Sequence, residues 1–273
     1  MTDLNFIGRV YAAADRNDSL VCVGLDPEPE KFPASLQGNP RAIFEFNRRI
    51  VDATAAYACC FKPQFAHYAA LSAEDQLLDT IRHIHEAHPG IPVILDSKRG
   101  DIGNTAEKYA QEAFVRYGAD AVTVNPYMGG DTVEAYLKWA DRGVVVLCRT
   151  SNPGARDFQD LVIDGKRLYR IVAERVAQQW NGAGNCLLVV GATYPQELAE
   201  IRAVVGDLPF LVPGIGAQGG DVEAAVKAGR TADGKGLLVN SSRGILYASK
   251  GDDFAEAAGV AARTLRDEIN RYR

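Results

Sequence analysis

The strongest constraint on the fold of this chain is a repeated alternation of short apolar runs and longer amphipathic segments. Runs rich in Val, Ile, Leu, Ala and Cys have the length of buried strands, and they cover residues 21–25, 58–61, 92–95, 121–124, 144–148, 186–190, 210–212 and 237–239. Each run is followed by apolar residues at three-to-four spacing, which predicts helices near residues 41–56, 73–88, 104–117, 130–140, 166–180, 195–205, 219–229 and 253–270. An uninterrupted series of eight such units predicts a parallel sheet closed into a (β/α)8 barrel, a TIM barrel. An open, doubly wound sheet is the alternative.

The composition agrees with one globular domain. The chain has 273 residues, of which 47% are hydrophobic and 24% charged, and α/β barrels reach this length undivided. No linker or low-complexity stretch divides the chain, so we expect residues 1–273 to form a single barrel domain. The net charge of -5 argues against a nucleic-acid binder or an anionic-membrane binder, because both need a basic face.

The cellular compartment can be predicted from the termini and the cysteines. The start, MTDLNFIGRV, lacks the apolar core of a signal peptide, and no later segment has the apolar length of a membrane span. The five cysteines form neither a disulfide framework nor a zinc-binding spacing. We therefore predict reduced core cysteines in a cytoplasmic protein.

Polar and charged residues follow most of the predicted strands. In a barrel the C-terminal ends of the strands meet at one rim, where active sites lie. The residues expected at this rim are Asp26, Lys62, Asp96, Lys98, Asn125, residues 149–152, residues 213–220 and residues 240–244.

The densest of these clusters is residues 96–101, with the sequence DSKRGD. Side chains alternate between the two faces of an extended strand, so Asp96 and Lys98 are predicted to share a face. Such a pair is either a structural ion pair or part of a site for charged chemistry. Lys62 and Asp26 at neighbouring strand ends favour charged chemistry.

Asp101 has a less obvious role. It could cap the helix expected to begin near residue 105, but Asn104 and Glu107 have the spacing of a capping pair. We therefore predict that Asp101 reaches outward, where another subunit is one possible partner.

A glycine-rich loop follows the seventh predicted strand. Gly214, Gly216 and Gly219 match the spacing GxGxxG, but the next strand ends in Asn240 rather than in the acidic residue of a dinucleotide site. A phosphate-binding loop is the better interpretation, with Arg243 as a charged partner for the phosphate. The alternative is a flexible connection with a surface arginine.

The histidines and the long segment after the fifth strand are less informative. His67, His83, His85 and His88 lack a metal-ligand spacing, so we predict solvated histidines and no metal. The turn-rich residues 150–165 suit either a variable surface loop or a lid.

Together these motifs resemble one family, orotidine 5'-phosphate decarboxylase, in its longer bacterial subgroup. The resemblance extends from the first strand to the eighth. The motifs that carry it are Leu25-Asp26-Pro27, Phe61-Lys62-Pro63, Asp96-x-Lys98-x-x-Asp101-Ile102-x-x-Thr105, residues 151–155 (SNPGA), residues 213–218 (PGIGAQ) and Ser242-Arg243.

The resemblance implies conversion of orotidine 5'-phosphate to UMP and CO2, the last step of de novo pyrimidine synthesis, without cofactor or metal. It implies that Lys98 stabilises and protonates a carbanion at C6, that Asp96 lies beside the departing carboxylate, and that Lys62 balances Asp96. Substrate contacts are implied for Asp26, Ser151, Pro213, Gln218 and Arg243, with Gln218 and Arg243 on the phosphate. Asp101, Ile102 and Thr105 are implied to enter the site of the partner subunit in a homodimer.

Two rival functions remain. One is a metal-dependent sugar-phosphate decarboxylase or aldolase of similar fold, although such relatives carry a metal-binding glutamate where this chain has Lys62. The other is a phosphometabolite-binding barrel without catalysis. A binder alone has no need for Asp96 and Lys98 together.

The length of the strand-five loop, which begins Arg149-Thr150-Ser151, leaves open which side chain contacts the pyrimidine.

Overall fold

The computed structural model describes residues 4–215 and 221–273, and its centre is a sheet of eight parallel strands. The strands are β1 (Val21–Leu25), β2 (Cys60–Pro63), β3 (Ile94–Arg99), β4 (Ala121–Val124), β5 (Gly143–Arg149), β8 (Cys186–Val190), β9 (Phe210–Val212) and β10 (Leu237–Ser241). Their order in the sheet is β2-β1-β10-β9-β8-β5-β4-β3. Two isolated parallel bridges, Phe61 with Val93 and Gln64 with Asp96, join the edge strands β2 and β3. The predicted (β/α)8 barrel is confirmed, and the open doubly wound sheet is wrong.

Helices surround the sheet. They are α1 (Phe6–Asn17), α2 (Ala42–Thr54), α3 (Phe65–Ala69), α4 (Glu74–Ala87), α5 (Gly103–Gln111), α6 (Gly130–Leu137), α7 (Leu168–Arg175), α8 (Pro195–Val205), α9 (Val222–Gly229), α10 (Arg243–Leu246) and α11 (Phe254–Asn270). The sequence pattern missed α1, α3 and α10, and also a hairpin after β5 formed by β6 (Val162–Ile163) and β7 (Lys166–Arg167). Within the described residues, no helix combines the length and hydropathy that crossing a membrane requires.

The core lies inside the barrel and between the barrel and its helices. β1 and β8 are buried at every position because helices or interior side chains cover both of their faces. The helices bury one apolar stripe each; in α2 it contains Ile43, Phe46 and Ile50. All five cysteines are buried and free of disulfides, as predicted.

Helix α1 lies across the N-terminal end of the barrel, opposite the predicted rim. Side chains of α1 and of its N-cap residue Asn5 contact segments that precede six of the barrel strands. These contacts are Asn17 with the carbonyl of Ala58, Arg16 with that of Pro89, Arg9 with Asp120 and with the carbonyl of Asp141, Asn5 with the carbonyl of Gly184, and Asp15 with Lys235. The helix therefore closes this end of the barrel.

The tightest contact of this closure is between Phe6 and Gly143. Phe6 is fully buried at the start of α1, and Gly143 begins β5. A Cβ added at Gly143 would lie 2.3 Å from a ring carbon of Phe6 and 2.7 Å from the Cβ of Ala121. Glycine is therefore required at this position so that the aromatic ring can reach the strand.

Replacing Gly143 with alanine is expected to destabilise the protein. The added methyl must displace the ring of Phe6, and overpacking of this kind costs about 1–3 kcal/mol. Thermal unfolding of Gly143→Ala followed by circular dichroism measures the effect. Gly182→Ala is the matched control, because no atom lies within 4 Å of a Cβ added there. Equal melting temperatures for the two variants would contradict the proposed packing.

Candidate active site

A cavity of about 440 Å³ opens at the C-terminal ends of the barrel strands. Its lining includes these predicted site residues: Asp26, Lys62, Asp96, Lys98, Ser151, Pro213 and Arg243. Gln218 lies outside the described residues, as do Gly216 and Gly219 of the predicted phosphate loop. Among the described residues, Asp101, Ile102 and Thr105 do not line this cavity.

The carboxylate of Asp96 is the centre of the charged cluster. Its Oδ2 atom lies 3.0 Å from Lys62 Nζ and accepts a hydrogen bond from Gln64 Nε2 at 3.1 Å. Its Oδ1 atom lies 2.6 Å from Lys98 Nζ and accepts a hydrogen bond from the hydroxyl of Thr123 at 2.8 Å. Four donors from three neighbouring strands and a strand end thus hold one carboxylate in a fixed orientation.

The charges in this cluster alternate in sign. Asp26 Oδ1 lies 4.0 Å from Lys62 Nζ, so the order is Asp26, Lys62, Asp96, Lys98. Lys62 and Asp96 are buried, at 4% and 6% exposure, whereas the side chain of Lys98 is 44% exposed at the cavity. Each buried charge therefore has an opposite charge beside it, as burial of ions requires.

The pKa values of the two buried groups shift in opposite directions. Burial alone would raise the pKa of Asp96, but the charges of Lys62 and Lys98 and their hydrogen bonds hold it well below its usual range. Burial alone would lower the pKa of Lys62, but the charges of Asp96 and Asp26 raise it above its usual range. Both groups are therefore ionised near neutral pH.

Lys98 reaches Asp96 by a different backbone path from the one predicted. Leu95 of β3 pairs with Val122 of β4, and Arg99 pairs with Val124. Four residues of β3 therefore span two residues of β4, so β3 forms a β-bulge there. Lys98 lies in this bulge with φ of 48°, the left-handed region that non-glycine residues rarely occupy. Its N–H donates to the Thr123 hydroxyl at 2.8 Å, which fixes the bulge. Lys98 and Asp96 do meet, but not because they alternate along a regular strand.

Asp101 lies just beyond the bulge, and the predicted capping pair is wrong. Helix α5 begins at Gly103, after Ile102, without a side-chain cap. Asn104 is therefore already inside the helix, and Glu107 pairs with Lys138 at 3.2 Å. Asp101 accepts a hydrogen bond from the N–H of Ile102, and Ile102 and Thr105 are exposed.

The loop after β5 is anchored by Arg149. This arginine is 3% exposed and contacts Glu197 Oε2 at 2.5 Å and Asp160 Oδ1 at 3.3 Å, away from the cavity. The next three residues, Thr150, Ser151 and Asn152, all line the cavity. The pyrimidine-contacting side chain that the sequence left open in this loop is therefore to be sought among residues 150–152.

Arg243 also lines the cavity, at the start of α10. Its side chain is exposed, and it pairs with none of the carboxylates in the described part of the chain. The preceding residue, Ser242, packs directly on Gly24 of β1, where an added Cβ would lie 1.8 Å from the serine hydroxyl. This contact places a guanidinium at the rim, ready to bind an anion.

The four histidines are partly exposed, as solvated histidines would be, but each also has a partner, and Nδ1 of His67 lies 3.2 Å from the carbonyl oxygen of Pro27. His83 and His88 both contact Asp52 Oδ1, at 2.7 and 2.9 Å, and His85 contacts Asp120 Oδ2 at 2.9 Å. The sequence could not reveal these pairs because each acidic partner belongs to a different element.

Two functional positions were missed by the sequence reasoning, Thr123 and Gln64. Thr123 is the one polar residue in the apolar run of β4, and it is fully buried. A hydroxyl in such a run needs a buried partner, which was an available signal. Gln64 follows Lys62 by two residues and carried no comparable signal.

Comparison with known proteins agrees with this site. The family model described as "Orotidine 5'-phosphate decarboxylase / HUMPS family" matches residues 19–258. A curated protein named orotidine 5'-phosphate decarboxylase from Azoarcus sp. is 63% identical over 270 residues, covering 99% of this chain and 100% of the relative. A protein of the same name from Cupriavidus necator is 62% identical, covering 99% of each chain.

Solved structures agree as well. The structure of Leishmania donovani OMP decarboxylase superimposes with a TM-score of 0.86 at 40% identity, covering 98% of each chain. This chain therefore belongs to the orotidine 5'-phosphate decarboxylase / HUMPS family.

Proposed function

We propose that this chain is a single-domain, cytoplasmic enzyme that converts orotidine 5'-phosphate to UMP and CO2, the last step of pyrimidine synthesis. Family membership and relatives named for this activity support the reaction. The observation that carries the mechanism is the carboxylate of Asp96 held between the ammonium groups of Lys62 and Lys98 at the cavity. The buried, free cysteines support a reducing compartment.

The reaction breaks the bond between C6 of the pyrimidine and its carboxylate carbon. CO2 leaves, and the electron pair of the broken bond stays on C6 as a carbanion. The ammonium of Lys98 stabilises this developing charge because it is already fixed beside the site and needs no reorganisation. Nζ of Lys98 then donates a proton to C6, which gives UMP and a neutral amine that regains its proton from solvent.

Asp96 and Lys62 hold Lys98 in place for this step. Asp96 accepts the hydrogen bond that orients the ammonium of Lys98, and its negative charge lies near the departing carboxylate of the substrate. Lys62 neutralises Asp96 from the barrel interior, and Asp26 lies beside Lys62. Lys62 also argues against the metal-dependent rival, because an ammonium occupies the position of the metal-binding glutamate in those relatives.

The phosphate of the substrate is assigned to the loops that follow the seventh and eighth barrel strands. Arg243 and Gln218 bind it, and Ser151 and Pro213 contact the rest of the nucleotide. Binding energy gained at the phosphate positions the reacting end of the substrate, so a remote group raises the rate of the chemical step.

A homodimer completes each site in this proposal. Ile102 is 61% exposed although it is apolar, and Asp101, Ile102 and Thr105 lie outside the cavity of their own chain. Further exposed apolar side chains belong to the segments that follow β4 and β5; they are Tyr127, Met128, Phe158, Leu161, Val162 and Ile163. A surface of this kind is typical of a protein interface. Burial of these apolar side chains against a second copy would bring Asp101, Ile102 and Thr105 to the site of the partner.

Replacing Lys98 with alanine is expected to abolish most decarboxylation. Loss of the charge stabiliser and proton donor together predicts a fall in kcat of at least about 10³-fold. The loss of ultraviolet absorbance of orotidine 5'-phosphate measures the rate. Lys108→Ala is the control, because Lys108 is an exposed residue of α5 that bonds Gln111. An unchanged rate in Lys98→Ala would refute the role of Lys98, and absence of turnover in the wild type would favour the binding protein over the enzyme.

Mixing two inactive variants tests the shared site. Lys98→Ala and Asp101→Ala are each expected to be weak, but a mixed dimer contains one site with both residues intact. Random pairing of subunits gives about one quarter of the wild-type activity. Lys98→Ala mixed with Asp96→Ala is the control and should stay inactive, because one chain supplies both residues to a site. No recovery in the first mixture, with subunit exchange demonstrated by mass spectrometry, would refute the shared site.

Replacing Asp96 with asparagine is expected to make stability depend on pH. Lys62 then keeps only Asp26 beside it, and loss of one partner of a buried pair costs about 3–5 kcal/mol at neutral pH. Burial now lowers the pKa of Lys62 below its unfolded value, so the folded state binds fewer protons and stability rises with pH. In the wild type the pKa of Lys62 is raised instead, so its contribution is fully present below its unfolded pKa of about 10.4 and is lost only as the pH rises above that value.

Thermal unfolding between pH 7 and 10 measures this difference. The melting temperature of Asp96→Asn should approach that of the wild type as pH rises, whereas Asp131→Asn, which removes an exposed carboxylate, should follow the wild type throughout. A constant gap between Asp96→Asn and the wild type would show that Lys62 does not depend on Asp96 for its charge.

A further inference from the structure

A second cluster of ligand-type side chains lies on the outside of the barrel, between α2 and α4. It consists of Asp52, His83 and His88, and we call it the His–His–Asp cluster. Nε2 of His83 lies 2.7 Å from Asp52 Oδ1, and Nε2 of His88 lies 2.9 Å from the same oxygen. One ligand atom from each residue lies within 4.8 Å of the other two.

The cluster is remote from the cavity. Asp52 is in the last turn of α2, and His88 directly follows α4. Helices of a barrel run opposite to its strands, so the ends of these helices lie at the N-terminal end of the barrel, away from Lys98. The cluster therefore has no part in the proposed decarboxylation.

The fold holds both imidazole rings in place. The side chains of His83 and His88 are 19% and 22% exposed, and their rings meet edge to face with centroids 5.9 Å apart. The ring of Phe44 packs against His83 at 6.3 Å. Both Nε2 atoms thus point to one place without a large rearrangement, which is what a preorganised ligand pair requires.

We propose that the His–His–Asp cluster binds a late first-row divalent metal ion, with zinc as the representative, and that the ion ties α2 to α4. Imidazole nitrogen suits zinc, cobalt, nickel and copper, whereas magnesium and calcium prefer oxygen ligands. Zinc binds nitrogen and carboxylate oxygen at about 2.0–2.2 Å, so tetrahedral ligand atoms are separated by about 3.3 Å. The carboxylate of Asp52 must retreat by about half an ångström to reach this arrangement, and its side chain is 40% exposed and free to do so.

The surrounding charges permit a cation. The positively charged side chain beside the cluster is Arg48, and it lies 3.6 Å from Oδ2 of Asp52, the oxygen that the histidines do not contact. Arg48 also pairs with Glu45 at 2.9 Å, so its guanidinium keeps a partner when a metal ion binds Asp52. The exposed side of Asp52 leaves room for a water molecule as the fourth ligand.

The sequence concealed this site. His83 and His88 lie on α4 and at its end, but Asp52 precedes His83 by 31 residues, so no ligand motif appears in one segment. The expectation of no metal rested on the absence of a metal-ligand spacing along the sequence, so it did not include a carboxylate supplied by the neighbouring helix.

Zinc titration of the full-length, untagged protein tests the proposal. The protein is first freed of metal with EDTA and then titrated with Zn²⁺ by isothermal titration calorimetry, and Co²⁺ is added in a parallel sample as a visible-absorption probe of the ligand geometry. We expect one Zn²⁺ per chain and a higher melting temperature in its presence. The cysteines do not compete in the folded protein because all five are buried.

Variants of each ligand assign the site. His83→Ala, His88→Ala and Asp52→Asn are each expected to weaken zinc binding by at least about tenfold and to lose the rise in melting temperature. His85→Ala is the matched control, because His85 is on the same helix but contacts Asp120, and it should bind zinc like the wild type. Circular dichroism confirms that each variant is folded. Absence of zinc binding up to about 1 mM, or equal binding by all of the variants, would overturn the proposal.

Discussion

The ion pairs of Asp96 with Lys62 and Lys98 are the interaction on which the functional end of this molecule depends. A buried carboxylate is costly, and two ammonium groups, an amide and a hydroxyl compensate for the lost water. These donors come from β2, β3, β4 and the segment after β2, so the barrel must be closed before the charges can be satisfied. The charged cluster and the closed sheet therefore stabilise each other.

Much of the fold could be predicted from the sequence because its signals are local. Strands covered on both faces read as continuous apolar runs, and each barrel strand begins within two residues of its predicted start. Helix α1 was missed because it precedes the first strand, so it is not part of the repeated strand-then-helix units on which the prediction rested. Its partners are backbone carbonyls and charges of distant segments, which no periodicity reveals.

The site residues that lie at the ends of strands could be predicted from the sequence. Asp26, Lys62, Asp96, Lys98 and Arg243 line one cavity because the carboxyl ends of parallel strands share a rim. The conformation of that rim was not predictable. The bulge in β3 depends on a hydrogen bond to Thr123, and the histidine pairs depend on acidic residues of other elements. Such details follow from tertiary contacts, which a single sequence does not display.

The closure of the barrel by α1 also has a consequence for the order in which the chain assembles. The ring of Phe6 docks on Gly143, and Asn5 contacts the carbonyl of Gly184, so the first helix must wait for segments that leave the ribosome much later. A helix of 12 residues is marginal in isolation, so until then its apolar face stays exposed and unpartnered. The contacts of Phe6 and Asn5 therefore form only after these segments are made, and nascent chains that stop before β5 expose the apolar face of α1.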